Sequence, residues 1–218
     1  SFPVIVKPNH EGSSKGIYTG GPGAVGRDGS VVREPKDLAA VLKAALRSYP
    51  DGVLVEEYVE GTDVLVGYIE GVGHDSGILA PVELLLETSV ERPYNVWDYR
   101  LKNLEPGKVS FRCPAGIPRD IAARLRTISS EVIRTLGMRD IARLDFRVAP
   151  DGRIYFLEAN AIPSLAPTAA LFSATERLAS DSRGEFAVSR MITWALSSVP
   201  VTACTGSKSC SEKSSAAS

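Results

Sequence analysis

The stretch IARLDFRVAPDGRIYFLEAN, residues 141–160, contains the pattern that decides the fold of this chain. Two mainly apolar segments flank the turn sequence Pro150-Asp151-Gly152, and this arrangement predicts a β-hairpin. Its strands are predicted over 141–148 and 153–158. Because the turn fixes an approximate register, the positions of polar side chains on the two strands can be compared directly.

Two carboxylates and an amide fall on one patch of this hairpin. In the approximate register set by the turn, Asp145 falls opposite Glu158, within a residue either way. Glu158 and Asn160 are two positions apart and share one face of the strand, and Arg143 lies close to Asn160. Opposed carboxylates repel each other unless a positive charge lies between them. The patch is therefore either a Mg²⁺ site or a salt bridge in which Arg143 neutralises the pair.

Hydrophobic periodicity predicts further elements on both sides of the hairpin. Strands are predicted over 3–7, 53–59, 64–69 and 78–86, and helices over 35–48, 118–136 and 185–196. The polar, irregular stretch 87–108 is typical of a functional or disordered loop. The Ser-rich stretch 200–218 has little to bury and is predicted to be disordered. Strands and helices that mix without strict alternation indicate an α+β class.

Composition excludes several classes of partner. The 218 residues carry a formal net charge of -1 without a basic stripe, which argues against a nucleic-acid partner. No apolar run approaches the ~18 residues that span a bilayer, so no membrane segment is expected. Three cysteines form no disulfide framework and favour a reducing, cytoplasmic setting.

Five groups of motifs in series resemble the D-alanine–D-alanine ligase family. The match runs in order over nearly all of residues 2 to 198. The motifs are VIVKP (4–8) with EGSSKG (11–16), LVEEYV (54–59) with Gly61 and Asp63, WDYRLK (97–102), CPAG (113–116), and ARLDF (142–146) with LEANAIP (157–163).

The resemblance implies an ATP-grasp fold, in which two mixed α/β subdomains bind the nucleotide between them. Residues 1–55 would be the later part of the central subdomain, and residues 56–199 would be the C-terminal subdomain that carries the metal site. Residues 200–218 would be a tail. The N-terminal domain of the family has no counterpart in this sequence.

The resemblance also assigns nucleotide contacts. Lys7 and Lys102 would bind phosphates, and Asp63 would hold the ribose hydroxyls. Glu56 would accept from the adenine amino group. The remaining expected contacts are the loop residues Glu11, Gly12, Ser13, Ser14 and Gly16, and the base-side residues Glu57, Tyr58, Val59, Phe156 and Leu157.

For the metal and the reaction, the resemblance implies a small polar set. Asp145, Glu158 and Asn160 would bind one or two Mg²⁺ ions, for which Mn²⁺ can substitute. The expected catalytic residues are Arg143, Ser13 and Lys102, and of these Arg143 would steady the transferred phosphate. The sequence offers no activated side-chain nucleophile, and this chemistry needs none.

The implied activity is ligation of an amino-acid carboxylate to an amine through an acyl phosphate, for peptide or peptidoglycan-precursor synthesis. The segment Pro163-Ser164-Leu165-Ala166-Pro167-Thr168-Ala169 departs from the Pro-Gly-x-Thr pattern and the following Ser of relatives that make D-Ala–D-Ala. The substrates, amino acids or dipeptides, therefore stay open, as does homodimer formation. The alternatives are a ligase for another amino acid or dipeptide, and a non-catalytic or regulatory ATP-binding module.

Overall fold

A computed structural model describes residues 1–20, 29–72, 77–87, 94–166 and 169–180, with side chains up to residue 177. Two antiparallel sheets organise this part of the chain. The smaller sheet has the strand order β2-β1-β3. Its strands are β1 (Val4–Pro8), β2 (Val31–Val32) and β3 (Val53–Glu57).

One helix covers the smaller sheet. This helix, α1 (Pro35–Ser48), begins with a proline in its first turn, where a missing backbone N–H leaves no hydrogen bond unmade. Its Val41 side chain is buried against Val6 of β1 and Val32 of β2. The apolar face of α1 therefore closes the core of this small unit.

The larger sheet has the order β6-β5-β4-β7-β8. Its strands are β4 (Thr62–Ile69), β5 (Val82–Leu86), β6 (Val109–Arg112), β7 (Ile141–Val148) and β8 (Ile154–Asn160). The central strand β4 pairs with β7 along its whole length, so the carboxylate hairpin is anchored to the sheet through β7, and β8 forms the edge.

Helices cover both faces of the larger sheet. On one face, Val64 and Val66 of β4 pack with α3 (Arg119–Leu136), which stops at Gly137 in the left-handed conformation. On the other face, Leu65 and Ile69 of β4 pack with α4 (Ala170–Ser180). Because both faces are buried, β4 is apolar at nearly every position.

Most predicted elements are confirmed, including α1, α3, the strand near 3–7 and both hairpin strands. The strand predicted over 78–86 begins only at Val82, and Ile78 forms just an isolated bridge to Tyr68. The helix expected over 185–196 and the tail lie outside the described residues. The sequence analysis did not predict β2, β6 or α4.

The interpretation of 87–108 as irregular was wrong in part. A short helix, α2 (Tyr99–Asn103), lies in this stretch, and a single 3-10 turn follows over Pro106–Lys108. Five residues are too few to show a helical period, so the apolar pattern could not reveal α2. Among the described helices, none is both long and apolar enough to cross a bilayer.

Candidate active site

A cleft lies where the smaller sheet faces the edge of the larger one. Strands β1 and β3 form one wall, and β4, β7, β8 and the segment leading into α2 form the other. Eleven of the predicted site residues line this cleft: Lys7, Ser14, Glu56, Glu57, Tyr58, Val59, Asp63, Lys102, Asp145, Leu157 and Glu158. Residues from four of the five groups of motifs therefore converge on one place.

Other predicted residues lie beside the cleft. Its described lining does not include Glu11, Gly12, Ser13, Gly16, Arg143, Phe156 or Asn160. Arg143 and Asn160 adjoin it through the hairpin, where they are register partners as expected. The loop residues adjoin it through Ser14.

Most of the apolar lining, together with one cation, was not predicted from the sequence. The additional residues are Ile5, Ile17, Leu65, Val96, Trp97, Phe146 and Arg147. Such a lining suits the flat face of an aromatic base, because small-molecule sites are mostly apolar with a few polar groups that fix orientation. One signal was available, since Arg147 lies two positions after Asp145 and so shares its face of β7.

The carboxylate pair has the predicted register. Asp145 pairs directly with Glu158 across β7 and β8. Arg143 donates two hydrogen bonds to Asp145, from Nε at 2.6 Å and from Nη2 at 2.7 Å, and its Nη2 lies 3.7 Å from Glu158. The Asp145 side chain is 12% exposed, whereas that of Glu158 is 62% exposed. Arg143 therefore neutralises the buried carboxylate and leaves the outer one largely uncompensated.

The electrostatics of this pair favour an additional cation. Partial burial raises the pKa of Glu158, and the neighbouring Asp145 charge adds to the rise. A raised carboxyl pKa means that the ionised form is unfavourable as the site stands. Among the described residues, no three His, Cys, Asp or Glu side chains are grouped to hold a metal, so the third protein oxygen would come from the Asn160 amide. Two carboxylates and an amide are suitable ligands for Mg²⁺, which usually keeps several waters.

A β-bulge shapes the same hairpin. The register shifts between Asp145 and Phe146, so that Phe146 pairs with Phe156 and Leu157 has no partner of its own. Successive side chains of a regular strand point to opposite faces. The bulge lets Leu157 and Glu158 line the cleft together. Phe156 instead packs on Phe146, with ring centroids 5.6 Å apart.

Lys7 lies at the mouth of the cleft and is paired with Glu56. The Lys7 Nζ and the Glu56 carboxylate are 2.5 Å apart, and both side chains are partly exposed. The two residues are diagonal neighbours on β1 and β3, because Ile5 is the register partner of Glu56. An exposed ion pair of this kind is weak, so a phosphate can displace the carboxylate from Lys7.

The glycine-rich loop is built from two tight turns. Lys15 N–H donates to the Gly12 carbonyl and Ile17 N–H donates to the Ser14 carbonyl, both at 3.1 Å. Ser13 and Ser14 have φ values of 55° and 58°, a left-handed conformation that few side chains adopt. Such successive turns direct backbone N–H groups to one side, which is how anion-binding loops are made.

The segment 96–103 is joined to the glycine-rich loop by hydrogen bonds. Asp98 is fully buried and caps α2, accepting from Leu101 N–H at 3.0 Å and from the Thr19 N–H and hydroxyl. Ser14 Oγ donates to the Trp97 carbonyl at 2.8 Å, and Tyr99 N–H donates to the Ile17 carbonyl at 3.0 Å. The loop and α2 therefore form one connected unit.

Lys102 projects from α2 over the indole of Trp97. Its Nζ lies 4.5 Å from the ring centroid. Burial lowers the pKa of Lys102, and the nearby Arg143 charge lowers it further. The Glu158 and Asp145 charges offset these two effects only in part, so an anion bound in the cleft would stabilise the ammonium.

The far end of the cleft is held by Arg147. Its Nη1 lies 2.8 Å from Asp63, its Nε donates to the Val59 carbonyl at 3.0 Å, and its guanidinium lies 5.6 Å from the Tyr58 ring centroid. Burial raises the pKa of Asp63 to about 6, although Arg147 opposes the rise. The carboxylate expected to hold a ribose is thus fixed by a buried cation.

The chain is similar over most of its length to known proteins. A family model described as "D-ala D-ala ligase C-terminus" matches residues 1–179. The D-alanine–D-alanine ligase of Geobacter sulfurreducens is 30% identical over 165 residues, which is 75% of this chain and 44% of the relative. That of Aquifex aeolicus is 32% identical over 166 residues, or 75% of this chain and 47% of the relative. The chain thus spans about half the length of the curated relatives that it matches.

Solved structures show the same fold. The VanG D-Ala:D-Ser ligase of Enterococcus faecalis superposes with a TM-score of 0.63 at 22% identity, covering 90% of this chain and 49% of the other. The D-alanyl-alanine synthetase A of Vibrio cholerae has the same TM-score and identity, with coverages of 87% and 52%. At this identity the likeness concerns the fold alone.

Proposed function

Since the chain belongs to the D-alanine–D-alanine ligase family and has its ATP-grasp fold, we propose that it forms the nucleotide- and metal-binding part of an ATP-dependent ligase. The ligase would join an amino-acid carboxylate to an amine, as in the synthesis of peptides or peptidoglycan precursors. The substrates would be amino acids or dipeptides, and the setting would be the cytoplasm. A homodimer is part of the same proposal.

One observation carries the proposal. Two lysines from different elements, Lys7 on β1 and Lys102 on α2, line the same cleft as the carboxylate pair Asp145 and Glu158. Phosphoryl transfer needs cations around the phosphates and oxygen ligands for a metal, and it needs little covalent chemistry from the protein. A site of this composition therefore suits transfer of the γ-phosphoryl group of ATP.

The adenine and ribose would occupy the other end of the cleft. Ile5, Leu65 and Phe146 offer apolar surface in the cleft. Glu56, Glu57, Tyr58 and Val59 belong to or follow the edge strand β3, whose backbone can recognise the edge of a base. Asp63, fixed by Arg147, would accept from the ribose hydroxyls, and Phe156 would support this end by packing on Phe146.

The phosphates would lie between the glycine-rich loop and the hairpin. Glu11, Gly12, Ser13, Ser14 and Gly16 would fold over them, with Ser13 and its neighbours offering hydroxyls and N–H groups. Asp145, Glu158 and Asn160 would hold one or two Mg²⁺ or Mn²⁺ ions, which supply charge neutralisation to the phosphates. Arg143, fixed by Asp145, would steady the transferred group.

The proposed reaction balances without a protein nucleophile. A substrate carboxylate oxygen would form a bond to the γ-phosphorus while the bond to the ADP oxygen breaks. The amine would then attack the acyl carbon, phosphate would leave, and the amine would lose a proton. The chain's own residues would bind and orient the reactants, which is where most of the catalysis lies in such transfers.

The domain division belongs to the proposal as well. Residues 1–55 would be the later part of the central subdomain, residues 56–199 the C-terminal subdomain, and residues 200–218 a tail. The two sheets support a division near this point, since the smaller sheet ends at Glu57 and the larger begins at Thr62.

The test is a screen of D- and L-amino acids and dipeptides with full-length protein and MgATP. Release of ADP and phosphate that depends on the added amino acid supports the ligase. A non-catalytic ATP-binding module would bind MgATP in calorimetry but release no ADP with any member of the screen. That result would overturn the proposal in favour of the module.

A further inference from the structure

One buried guanidinium joins three separate segments of the chain at the far end of the cleft. Arg147, on β7, is 6% exposed. Its Nε donates to the Val59 carbonyl at 3.0 Å, and its Nη1 donates to Asp63 at 2.8 Å and to the Asn95 carbonyl at 2.9 Å. Its Nη2 donates to the same Asn95 carbonyl. Val59 follows β3, Asp63 lies in β4 and Asn95 precedes α2, so these hydrogen bonds fix three elements relative to one another.

The hydrogen bonds of Arg147 leave it little capacity to bind a ligand, although it lines the cleft. Its four donations to protein oxygen atoms engage every nitrogen of the guanidinium. The Tyr58 ring lies beside it, with the ring centroid 5.6 Å from the Arg147 Cζ. A cation whose donors are used in this way acts on a ligand through the groups that it holds. Arg147 is therefore a positioning residue.

Two further contacts hold the segment before α2 against the turn that leads into β4. Asn95 Nδ2 donates to the Gly61 carbonyl at 2.9 Å. The Tyr94 ring meets the Tyr58 ring edge-on, with centroids 5.1 Å apart. The guanidinium joins the same segment and the same turn, so its hydrogen bonds belong to a larger network. Removing the guanidinium would therefore loosen the chain around the Asp63 carboxylate as well as the carboxylate itself.

The Asp63 carboxylate presents its two oxygen atoms to different partners. Its Oδ1 accepts from Arg147, whereas none of the hydrogen bonds among the described residues reaches its Oδ2. The side chain is 15% exposed and lines the cleft, so Oδ2 is available to a ligand there. Arg147 also opposes the rise in the pKa of Asp63 that burial causes, and so favours the ionised form that accepts hydrogen bonds.

From these contacts we infer that Arg147 determines the sugar selectivity of the nucleotide site. By fixing the Asp63 carboxylate and the chain around it, Arg147 makes the site favour a ribonucleotide over its deoxy analogues. A ribose hydroxyl donates to Asp63, whereas a deoxy sugar leaves that partly buried oxygen without a partner. The inference rests on the proposed function, in which Asp63 binds the ribose, and it adds a residue that lies outside the quoted family motifs.

The first test measures by calorimetry how tightly full-length protein binds the magnesium complexes of ATP, 2′-deoxyATP and 3′-deoxyATP. The selectivity ratio is the Kd of the weaker deoxy analogue divided by the Kd of ATP. In the parent this ratio is expected to be about ten or more, the scale of one hydrogen bond to a charged group. In Arg147→Met it is expected to fall toward one, because ATP loses more affinity than the analogue does. A parent ratio near one would overturn the inference.

A second variant covers the case in which Arg147→Met does not fold. Arg147→Lys keeps a positive charge beside Asp63, but its ammonium lacks the planar fork that reaches three acceptors. The selectivity ratio is expected to fall in both variants, and further in Arg147→Met. A parental ratio in every variant that folds would overturn the inference.

Arg112→Met is the matched control for a general loss of stability. It removes another arginine–carboxylate pair of the larger sheet, in which Arg112 Nε donates to Glu83 at 2.9 Å. Arg112 lies outside the described lining of the cleft, so the parental ratio is expected. A fall in the ratio as large as that in Arg147→Met would contradict a role specific to the sugar.

A double-mutant cycle tests whether Arg147 acts through Asp63. Asp63→Ala alone is expected to bring the selectivity ratio toward one, because it removes the acceptor. Adding Arg147→Met to Asp63→Ala should then leave the ratio unchanged, whereas independent effects would multiply. The double variant also leaves neither charge of the pair buried without its partner. A ratio that stays parental in Asp63→Ala, or that falls further in the double variant, would overturn the inference.

Turnover separates this inference from the proposed function, since the affinity ratio needs no reaction. If the nucleotides bind with the expected ratios but no amino acid supports ADP release, the ligase proposal fails and the role of Arg147 stands. If an amino acid supports ADP release while the Arg147 variants keep the parental ratio, the ligase stands and the inference fails. Full-length protein that binds none of the three nucleotides would overturn both.

Discussion

Asp98 accepts two hydrogen bonds from Thr19, one from the backbone N–H at 3.0 Å and one from the hydroxyl at 2.9 Å. Both side chains are fully buried. The other Asp98 oxygen accepts from Leu101 N–H, and Asp98 thereby caps the helix that carries Lys102. One carboxylate therefore connects the end of the glycine-rich loop region to the lysine on the opposite wall of the cleft.

The first prediction concerns this connection. Asp98→Asn is expected to raise the KM for MgATP about tenfold, because an amide turns its NH₂ group toward a buried donor and leaves at least one hydrogen bond unmade. Steady-state kinetics on full-length protein, with a melting curve for each variant, measures the effect. Thr19→Ser keeps both donors and serves as the control, and Thr19→Val is expected to fall between them. A KM unchanged in Asp98→Asn would show that the loop and α2 act independently.

The second prediction concerns the outer carboxylate of the hairpin. Glu158→Ala is expected to lower kcat for ADP release by at least about a hundredfold. The metal ion that would neutralise the phosphate charge would lose one of its proposed ligands. The melting temperature is expected to stay near the parent value, since the Glu158 side chain is 62% exposed. Glu131→Ala on the exposed face of α3 is the matched control. Turnover that survives Glu158→Ala would remove this residue from the proposed metal site.

The third prediction compares two glycines of the same loop. A Cβ on Gly16 would lie 2.5 Å from the Pro8 side chain and 2.7 Å from the Tyr49 ring, and its φ of 77° disfavours other residues. Gly16→Ala is therefore expected to lower the free energy of unfolding by about 2 kcal/mol. A Cβ on Gly12 meets no atom within 4 Å, so Gly12→Ala should leave stability nearly unchanged. Equal effects in urea unfolding would contradict this account.

The fourth prediction uses the buried carboxyl of Asp63. Its pKa is raised from 3.8 to about 6 in the folded protein, chiefly by burial, so the folded state holds this proton more tightly than the unfolded chain does. The resulting contribution to stability is fully present below pH 3.8 and is lost as the pH rises through about 6. A shift of this size corresponds to roughly 3 kcal/mol.

Urea unfolding at several pH values measures this contribution. Between pH 5 and pH 7, on either side of the folded pKa of about 6, the unfolding free energy of the parent is expected to fall relative to that of Asp63→Asn. Subtracting the unfolding free energy of Asp63→Asn from that of the parent removes the contribution of all other titrating groups. Parallel pH profiles would mean that Arg147 keeps Asp63 ionised throughout.

The hairpin could be predicted from the sequence because the turn and the strand pattern that define it lie within one short segment. A turn of known type, two apolar strands and the period of two place Asp145 opposite Glu158 to within one residue. The regular ladder that starts at Val148 and Ile154 would pair Asp145 with Leu157, and the register shift supplies the remaining residue. The helices α1 and α3 could also be predicted from the sequence, since 14 and 18 residues are long enough to show a periodic apolar face.

The lining of the cleft depends on long-range contacts and was harder to predict. Trp97 and Val96 belong to an irregular stretch, and only its docking against the glycine-rich loop places them at the site. The two-residue strand β2 exists because it pairs with β1, and no local pattern could reveal it. The register shift at Asp145 and Phe146 was invisible for the same reason, because nothing in the local alternation marks it.

Because of that register shift, the number of residues in β8 decides which side chains line the cleft. Leu157 and Glu158 are adjacent in sequence, and yet both line the cleft. Leu157 contributes apolar surface and Glu158 contributes a carboxylate. Deleting Leu157 would restore a regular ladder, but it would also remove an apolar contact and draw Phe156 next to the acid. Inserting a residue before Glu158 would send the carboxylate to the α3 face of the sheet. Relatives that keep this chemistry should therefore keep the number of residues in β8 as well as Glu158 and Asn160, whereas the other residues of the strand can differ.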